Sequence, residues 1–275
     1  MKVLLLGANS YVGSRVYLEL KKDHEVVGTF HNKKLFTNLV FLDVTDRQAV
    51  MDLIIKEKPN VIVHCANQAS NRWCEEHLED AVKINREATK FIVEGANIVD
   101  SKVIYVSSFA AISPTNLYGI MKEESERMIK TVRSGYAIIQ PGVIVGISPK
   151  IKKEDGFFSS LMENLNDNKP AEYDNIKKYQ PTYLGHICEV IKLILERGLW
   201  NKTFPVASLG VKTKYELAKD ILSPFGITVE EVEGSHTITK KKTQGLKELN
   251  ESSLPVYTYM QTIEKVVEEI KASNC

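Results

Sequence analysis

Short apolar runs alternate with amphipathic segments along the first 150 residues of the chain. Val3–Leu6 and Val61–Cys65 are continuously apolar, which is typical of strands buried on both faces of a sheet. Six strands are predicted here: Val3–Leu6, Glu25–Phe30, Leu39–Leu42, Val61–Cys65, Val103–Ser107 and Ala137–Gln140.

The segments between these strands carry apolar residues at helical spacing. Thr45 and Gln48 have the spacing of a capping box, and Pro59 is expected to stop the helix that follows. The predicted helices contain Val12, Val16 and Leu20; Val50, Leu53 and Ile54; Ala81, Ile84, Ala88, Phe91 and Ile92 in one long helix; and Tyr118–Val132. Strands separated by helices predict an α/β fold with a Rossmann-type, doubly wound parallel sheet.

The pattern changes after Gly142. Lys150–Tyr183 is richer in Lys, Asp, Asn and Pro and shows no clean strand. The elements predicted beyond it are a helix over Leu184–Arg197, a strand over Thr203–Val206, a helix capped by Thr213 and Glu216, and a last helix over Gln261–Lys271. We therefore expect a cofactor-binding domain over residues 1–148 and a smaller, partly interleaved substrate lobe over 149–275, with 184–206 returning to the main sheet.

Composition and charge exclude several classes of function. The net charge is +1, so bulk electrostatics favour neither nucleic acid nor a membrane surface. The apolar stretches are too short to span a bilayer, and the N-terminus lacks a signal-peptide pattern. The four cysteines lie far apart without a C-x-x-C pair, which predicts neither a zinc site nor a disulfide framework. The expectation is a cytoplasmic protein with no metal, no nucleic acid and no membrane partner.

A glycine motif lies between the first predicted strand and the first predicted helix. Gly7 permits a tight turn, Gly13 permits close packing of the helix on the strand, and the helix N-terminus can bind a pyrophosphate. Ser10 stands at the middle position, where glycine is usual. The candidate cofactor-binding residues of this turn are Gly7, Asn9, Ser10, Tyr11, Val12 and Gly13.

Two further segments bear on the adenosine half of the cofactor. Asp43 and Val44 follow the third strand, where the carboxylate can accept from an adenine amino group or help to cap the next helix. No carboxylate follows the second strand, where His31 and Lys33 lie with Lys34. The two lysines, with His31 as a further hydrogen-bond donor, favour NADPH over NADH. The alternative is that the lysine pair is an exposed loop tip and the protein takes either cofactor.

Tyr118 and Lys122 lie one helical turn apart, directly after the strand that leads to Ser108. A nearby ammonium can lower the pKa of a phenol and so make it a usable general acid. Tyr17–Lys21, Tyr173–Lys177 and Tyr215–Lys219 share this spacing, so the position at the carboxyl edge of the sheet is what favours Tyr118.

Two polar residues lie among apolar neighbours in the predicted elements. Asn85 is either a structural residue or part of the site, and His64 is interpreted as a core histidine.

Taken together, these motifs resemble the extended short-chain dehydrogenase/reductases, and the C-terminal half resembles the dTDP-4-dehydrorhamnose reductase group. The residues that carry the resemblance are Gly7–Gly13, Asp43-Val44, His64-Cys65-Ala66, Asn85, Ser107-Ser108, Tyr118-Gly119 with Lys122, Gln140-Pro141-Gly142, Gln180–Tyr183 and Tyr215–Ala218. The resemblance implies that Ser108 and Tyr118 hydrogen-bond the substrate oxygen and that Lys122 holds the nicotinamide ribose. It also implies that Cys65, Ala66 and Asn67 run along the cofactor and that Asn85 belongs to the cofactor site.

The resemblance implies reduction of a keto group on a nucleotide-linked deoxysugar with NADP(H), or alternatively NAD(H). Gln140 stands where many relatives have arginine, and only nine residues separate Ser108 from Tyr118, fewer than in the reductases. These departures concern the particular substrate more than the hydride chemistry. Two alternatives also stay open: a sugar-nucleotide epimerase, which uses the same residues, and a non-catalytic, NADP-binding regulatory subunit like the methionine adenosyltransferase β subunit, which the short segment favours. A homodimer is also left open.

Overall fold

The computed structural model describes residues 1–150, 156–233 and 254–273. The strands are β1 (Lys2–Leu6), β2 (Glu25–Phe30), β3 (Val40–Phe41), β4 (Val61–His64), β5 (Lys102–Val106), β6 (Tyr136–Pro141), β7 (Val143–Val145), β8 (Ala171–Asp174), β9 (Lys178–Tyr179), β10 (Pro181–Tyr183), β11 (Lys202–Val206), β12 (Lys212–Thr213) and β13 (Val229–Val232). The α-helices are α1 (Tyr11–Leu20), α2 (Arg47–Glu57), α3 (Asn71–Glu76), α4 (Leu78–Val82), α5 (Ala88–Ile98), α6 (Leu117–Ile129), α7 (Phe157–Asn166), α8 (Leu184–Arg197), α9 (Lys214–Leu222) and α10 (Tyr259–Ser273). A π-helix over Lys83–Glu87 joins α4 to α5, and 3-10 turns lie at Phe109–Ala111 and Ser223–Phe225.

Seven strands form the central sheet, in the order β11-β6-β5-β4-β1-β2-β3. From β3 to β6, neighbouring strands pair in parallel, with Val3 opposite Val26 on one side and Val61 on the other. The chain leaves β1 towards β2 and returns on its other side at β4, so the strand order reverses between β1 and β4. This confirms the predicted doubly wound α/β fold and places a topological switch point at the carboxyl ends of β1 and β4.

Helices cover both faces of this sheet. Leu4 and Leu6 of β1 belong to a core that also contains Val50 and Ile54 of α2 and Ile92 of α5. The side chains of Val3 and Leu5 point to the opposite face and have no exposed surface, so that face is covered as well. Burial on both faces explains the continuously apolar strand sequences.

Local signals at helix starts were predicted with mixed success. Thr213 and Glu216 form the predicted capping box of α9. The capping box at Thr45 is wrong, because Asp46 caps α2 by accepting a hydrogen bond from the Ala49 N–H, while Thr45 donates to Asp43.

The predicted long helix around Ala88 is divided into α4, the π-helix and α5. The prediction that Lys150–Tyr183 lacks strands is also wrong within the described residues, since β8, β9 and β10 lie there. These strands are two to four residues long, too short to show a two-residue alternation.

The chain divides into two compact units, each assembled from separate segments of sequence. The first comprises Met1–Gln140, Ser148–Lys150 and Cys188–Phe204, and contains most of the central sheet. The second comprises Pro141–Ile147, Ile151–Ile187 and Pro205–Cys275, and in its described part holds three two-stranded sheets, β7 with β10, β9 with β12, and β8 with β13. No helix in the described residues is long and apolar enough to cross a membrane.

Candidate functional site

The glycine turn after β1 is closed by backbone contacts that exclude any larger residue. Gly7 has φ +79° and a Cβ there would lie 2.8 Å from the Ala66 Cα, while a Cβ on Gly13 would lie 2.1 Å from the Gly7 carbonyl oxygen. Ser10, at the usual glycine position, is the N-cap of α1, and its Oγ accepts from the Gly13 N–H at 3.0 Å. The turn therefore keeps the tight geometry of a pyrophosphate cradle with a serine in the middle, and Tyr11 and Val12 begin the helix behind it.

The side chain of Asn9 joins the turn to the loop that follows β2 by two hydrogen bonds. Its Nδ2 donates to the Lys33 carbonyl at 2.6 Å, and its Oδ1 accepts from the Leu35 N–H at 2.9 Å. The Asn9 side chain is buried, and both ends of its amide are used by this loop. We infer that Asn9 contributes to the site by holding the loop in place, a role that the spacing of the motif could not reveal.

A cavity of about 440 Å³ opens at the switch point. It is lined by the glycine turn, the ends of β2 and β4, the segment after β3 and part of the α4 region: Gly7, Asn9, Ser10, Thr29, Phe30, His31, Asn32, Leu42, Asp43, Val44, Thr45, Ala66, Asn67, Gln68, Trp73, Asp80, Lys83, Ile84 and Lys150. Eight predicted cofactor residues are among them: Gly7, Asn9, Ser10, His31, Asp43, Val44, Ala66 and Asn67. The sequence interpretation missed the contribution of Trp73 and Lys150.

Several predicted site residues are not part of the cavity lining. Tyr11, Val12, Gly13, Lys33, Cys65, Asn85, Ser108, Tyr118 and Lys122 do not line this cavity. Lys34, offered with Lys33 as a cation for the ribose phosphate, places its Nζ 5.5 Å from the centre of the Phe30 ring. Burial raises the pKa of the Cys65 thiol to about 12, against the smaller effect of the Lys122 charge, so Cys65 is a neutral lining of the core.

Asp43 lies in the cavity lining after β3 and is held by two neighbouring groups. Its Oδ1 accepts from the Thr45 N–H at 2.9 Å and the Thr45 hydroxyl at 2.7 Å, and its Oδ2 lies 3.7 Å from the His31 Nε2. Partial burial raises the pKa of Asp43, but the hydrogen bonds from Thr45 outweigh it and leave that pKa below its ordinary value. Asp43 therefore stabilises the turn before α2 without being the helix cap itself.

The side chain of Asn85 holds the loop that follows β4 by two hydrogen bonds. Its Oδ1 accepts from the Gln68 N–H at 2.8 Å and its Nδ2 donates to the Gln68 carbonyl at 3.0 Å. It lies in the π-helix, and its own carbonyl accepts from the Ser125 hydroxyl at 2.7 Å. Of the two roles left open by the sequence, the geometry supports a positioning role for the loop that carries Ala66 and Asn67.

Tyr118 begins the first turn of α6, whose N-cap is Asn116. Only 8% of its surface is exposed, and the side chains of Ser108 and Asn67 hydrogen-bond its hydroxyl. Burial raises the pKa of Tyr118 well above the ordinary phenol value, and these two hydrogen bonds lower it only in part. The predicted lowering of the Tyr118 pKa is therefore wrong, because desolvation of the phenolate is the largest effect.

Lys122 is fully buried one turn further along α6. Its Nζ donates to the Tyr105 hydroxyl and to the Val106 carbonyl, each at 3.0 Å, and lies 5.8 Å from the centre of the Tyr118 ring. Burial lowers its pKa to about 7, although the neighbouring Cys65 and Glu126 favour the ammonium. Ser108, Tyr118 and Lys122 thus meet at the carboxyl edge of β5, as the sequence predicts.

His64 and Gln140 complete the polar groups beneath this edge. His64 is buried, and its Nε2 lies 3.2 Å from the Thr89 hydroxyl, as expected for a core histidine. Gln140 donates from Nε2 to both oxygens of the buried Glu126 at 2.9 and 3.1 Å. Glu126 also accepts from the Ser107 hydroxyl, so hydrogen bonds satisfy its carboxylate.

Known proteins resemble this chain over most of its length. A family model described as the RmlD substrate binding domain matches residues 1–273. The methionine adenosyltransferase 2 subunit beta of Danio rerio is 28% identical over 247 residues, covering 82% of this chain and 74% of that protein.

Solved structures share the fold over nearly the whole chain. A dTDP-4-dehydrorhamnose reductase of Clostridium acetobutylicum has a TM-score of 0.81 at 21% identity, covering 100% of both chains. The same enzyme of Bacillus anthracis, in complex with NADP, has a TM-score of 0.81 at 21% identity, covering 98% of this chain and 99% of that one.

Proposed function

Since the chain belongs to the RmlD substrate binding domain family of extended short-chain dehydrogenase/reductases, we propose that it reduces a keto group on a nucleotide-linked deoxysugar. One observation carries the proposal: Ser108, Tyr118 and Lys122 meet at the carboxyl edge of β5, beside the dinucleotide cradle of Gly7 and Gly13. The dTDP-4-dehydrorhamnose reductases of similar fold support this substrate class.

The cradle fits a dinucleotide cofactor. Side chains at positions 7 and 13 would fill the space beside Ala66 and the Gly7 carbonyl, and the first turn of α1 offers backbone N–H groups to a pyrophosphate. When bound, the cofactor supplies the hydride. Ser108 and Tyr118 bind and orient the substrate oxygen, and the Tyr118 O–H gives its proton to that oxygen as it becomes an alkoxide. Lys122 holds the nicotinamide ribose.

NADP is the proposed cofactor, with NAD as the alternative. The segment that follows β2, His31–Lys34, contains no carboxylate of its own, and His31 and Asn32 line the cavity there. The Asp43 carboxylate, which lines the same cavity, lies 3.7 Å from the His31 Nε2. We expect a Lys33→Ala, Lys34→Ala double variant to lose part of its preference for NADPH in kcat/KM. Because these lysines are exposed and screened by salt, the change should be moderate, and a native preference for NADH would contradict the proposal.

A turnover assay tests the function as a whole. Purified protein is offered NADPH or NADH with a panel of keto-sugar nucleotides, and oxidation of the cofactor is followed together with the sugar product. A reductase oxidises one cofactor for each sugar reduced, whereas an epimerase consumes none. Absence of turnover across the panel, in protein that binds the cofactor, would contradict the reductase proposal.

A second candidate, a cofactor-binding regulatory subunit, is favoured by the similarity to methionine adenosyltransferase 2 subunit beta. The short segment between Ser108 and Tyr118 also supports it. Under this alternative the protein binds NADP(H) without turnover and changes the kinetics of a methionine adenosyltransferase. Co-purification with such an enzyme, and its activity with and without this chain, separate the two candidates.

The proposal places the protein in the cytoplasm, where nicotinamide cofactors and nucleotide sugars are available. A homodimer remains part of the proposal, and its test is the mass of the purified protein in solution.

A further inference from the structure

The protein itself supplies acceptors for the Lys122 ammonium. Tyr105 Oη and the Val106 carbonyl, both from β5, lie 3.0 Å from Nζ, and the Tyr105 ring centre lies 4.5 Å away. A lysine has three N–H donors, so these two acceptors leave one donor to be satisfied.

Asn67 lies on the cavity side of Lys122, and the two possible assignments of its amide oxygen and nitrogen differ in their hydrogen-bond partners. In one, its oxygen accepts from Lys122 Nζ and its nitrogen donates to the Cys65 carbonyl, each at 3.2 Å. In the other, its nitrogen donates to the Tyr118 hydroxyl at 3.4 Å. The first assignment makes two hydrogen bonds and gives Lys122 its third acceptor, so the neighbouring groups favour it.

Tyr105 is itself fixed by the groups beneath it. Its side chain is 1% exposed, and its hydroxyl hydrogen-bonds Ser125 and Thr89. Ser125 donates its own proton to the Asn85 carbonyl at 2.7 Å, which leaves its oxygen to accept from Tyr105. Burial raises the pKa of Tyr105 well above the ordinary phenol value, so Tyr105 stays neutral and presents an oxygen lone pair to Lys122.

We propose that Tyr105 is a positioning residue for Lys122. Its hydroxyl and the Val106 carbonyl hold the ammonium from β5, and Asn67 supplies the exchangeable third acceptor, which a ribose hydroxyl of the cofactor replaces. This inference rests on the proposed function, in which Lys122 holds that ribose. Asn67 lines the cavity whereas Tyr105 and Val106 do not, so Asn67 is the acceptor that a ligand can displace.

The arrangement has a consequence for the pH dependence of cofactor binding. An acceptor for the ammonium favours its charged form, so loss of the Tyr105 hydroxyl should lower the pKa of Lys122 further. The other titratable groups that act on Lys122 or face it in the described residues are Cys65, His64, Cys74, Glu126 and Tyr118.

The experiment compares the native protein with Tyr105→Phe, which removes one oxygen and keeps the ring. The dissociation constant for NADPH is measured by fluorescence between pH 6 and pH 9. We expect weaker binding by roughly tenfold at neutral pH, as for a lost hydrogen bond to a charged group. The rise of the dissociation constant with pH should begin at a lower pH than in the native protein, whereas Asn67→Ala should weaken binding less.

Two further measurements separate positioning from a general loss of structure. In a Lys122→Met background, Tyr105→Phe should cause no additional weakening, since its effect acts through Lys122. Tyr136→Phe, in the neighbouring strand β6, is the matched control and should bind NADPH as the native protein does. Equal weakening by Tyr105→Phe with and without Lys122 would overturn the proposal.

A cofactor-free readout distinguishes failure of this inference from failure of the proposed function. The protein is labelled with ¹³C at lysine Cε, and the Lys122 signal is identified by its loss in Lys122→Met. The signal should titrate at a lower pH in Tyr105→Phe than in the native protein. An unchanged titration overturns the role of Tyr105, whereas a shifted titration in a protein that binds no dinucleotide overturns the proposed function alone.

Discussion

At Tyr118, burial and hydrogen bonding act on the pKa in opposite directions. Removal of the phenolate from water raises the pKa, and the hydrogen bonds of Ser108 and Asn67 oppose that increase. Burial lowers the pKa of Lys122 to about 7 by the same physics, because the ammonium is the charged form of a base. Tyr118 is therefore a neutral phenol and Lys122 a readily titrated ammonium, and both are held in fixed positions.

Tyr118→Phe tests the proposed acid at the scale of one oxygen atom. Turnover should fall by roughly 10²–10⁴, the usual effect of losing a general acid, with the cofactor dissociation constant little changed. Tyr215→Phe, which shares the spacing to a lysine but lies on α9, should keep near-native turnover. Native turnover in Tyr118→Phe would refute the assignment.

At the scale of elements, the packing of α1 on the turn after β1 determines the shape of the cradle. Ser10 caps the helix, Gly7 turns the chain, and Gly13 lets the helix approach the Gly7 carbonyl. The Thr29 hydroxyl of β2 accepts from the Gly7 N–H at 3.0 Å and ties the same turn to the sheet. These contacts therefore fix α1, the turn after β1 and β2 to one another where a pyrophosphate would bind.

Gly13→Ala should disrupt the packing of α1 on the turn after β1. The added methyl would lie 2.1 Å from the Gly7 oxygen, so α1 must shift, at a cost of about 1–3 kcal/mol in the free energy of unfolding. NADPH affinity should fall with it, as measured by urea unfolding and fluorescence titration. Ser10→Ala should cost about 1 kcal/mol through the lost cap. Leu18→Ala, on the exposed side of the same helix, is the control and should change neither quantity appreciably.

For the molecule as a whole, the buried histidine of β4 couples stability to pH. Burial, with a smaller effect of the Lys122 charge, lowers the pKa of His64 from 6.5 to about 3. Between pH 6.5 and about pH 3, His64 therefore binds a proton in the unfolded chain and stays neutral in the folded protein. The resulting stability is fully present above pH 6.5 and is lost as the pH falls towards 3.

The contribution of His64 to the free energy of unfolding should fall by about 2 kcal/mol between pH 6.5 and pH 5, at about 1.4 kcal/mol per unit. The measurement is urea unfolding across this range in the native protein and in His64→Gln. The variant should show a shallower loss of stability with falling pH. His77→Gln, on an exposed histidine, should follow the native slope, and an equally steep His64→Gln would show that other groups carry the acid sensitivity.

Predictions from sequence succeeded where neighbouring residues decide the structure. The parallel strands, the Gly7 turn and the Thr213 capping box depend on interactions within a few residues or on simple burial. Predictions failed where a competing partner lay close by: Asp46 took the cap expected of Thr45. They also failed over β8 to β10, where the strands are too short for a pattern.

The sequence by itself determined that this protein has a doubly wound sheet with a glycine cradle and a Ser108, Tyr118 and Lys122 set at its edge. Only the tertiary structure decided the hydrogen-bond partners and the pKa values of these side chains. Three hydrogen bonds that shape the site join residues distant in the chain: Asn9 to Lys33, 24 positions away, Asn85 to Gln68, 17 positions away, and Tyr105 to Lys122, also 17 positions away. These partners become neighbours only when the sheet forms. Burial, which determines the pKa of Tyr118 and Lys122, is likewise a property of the assembled core, because it depends on how far water is excluded.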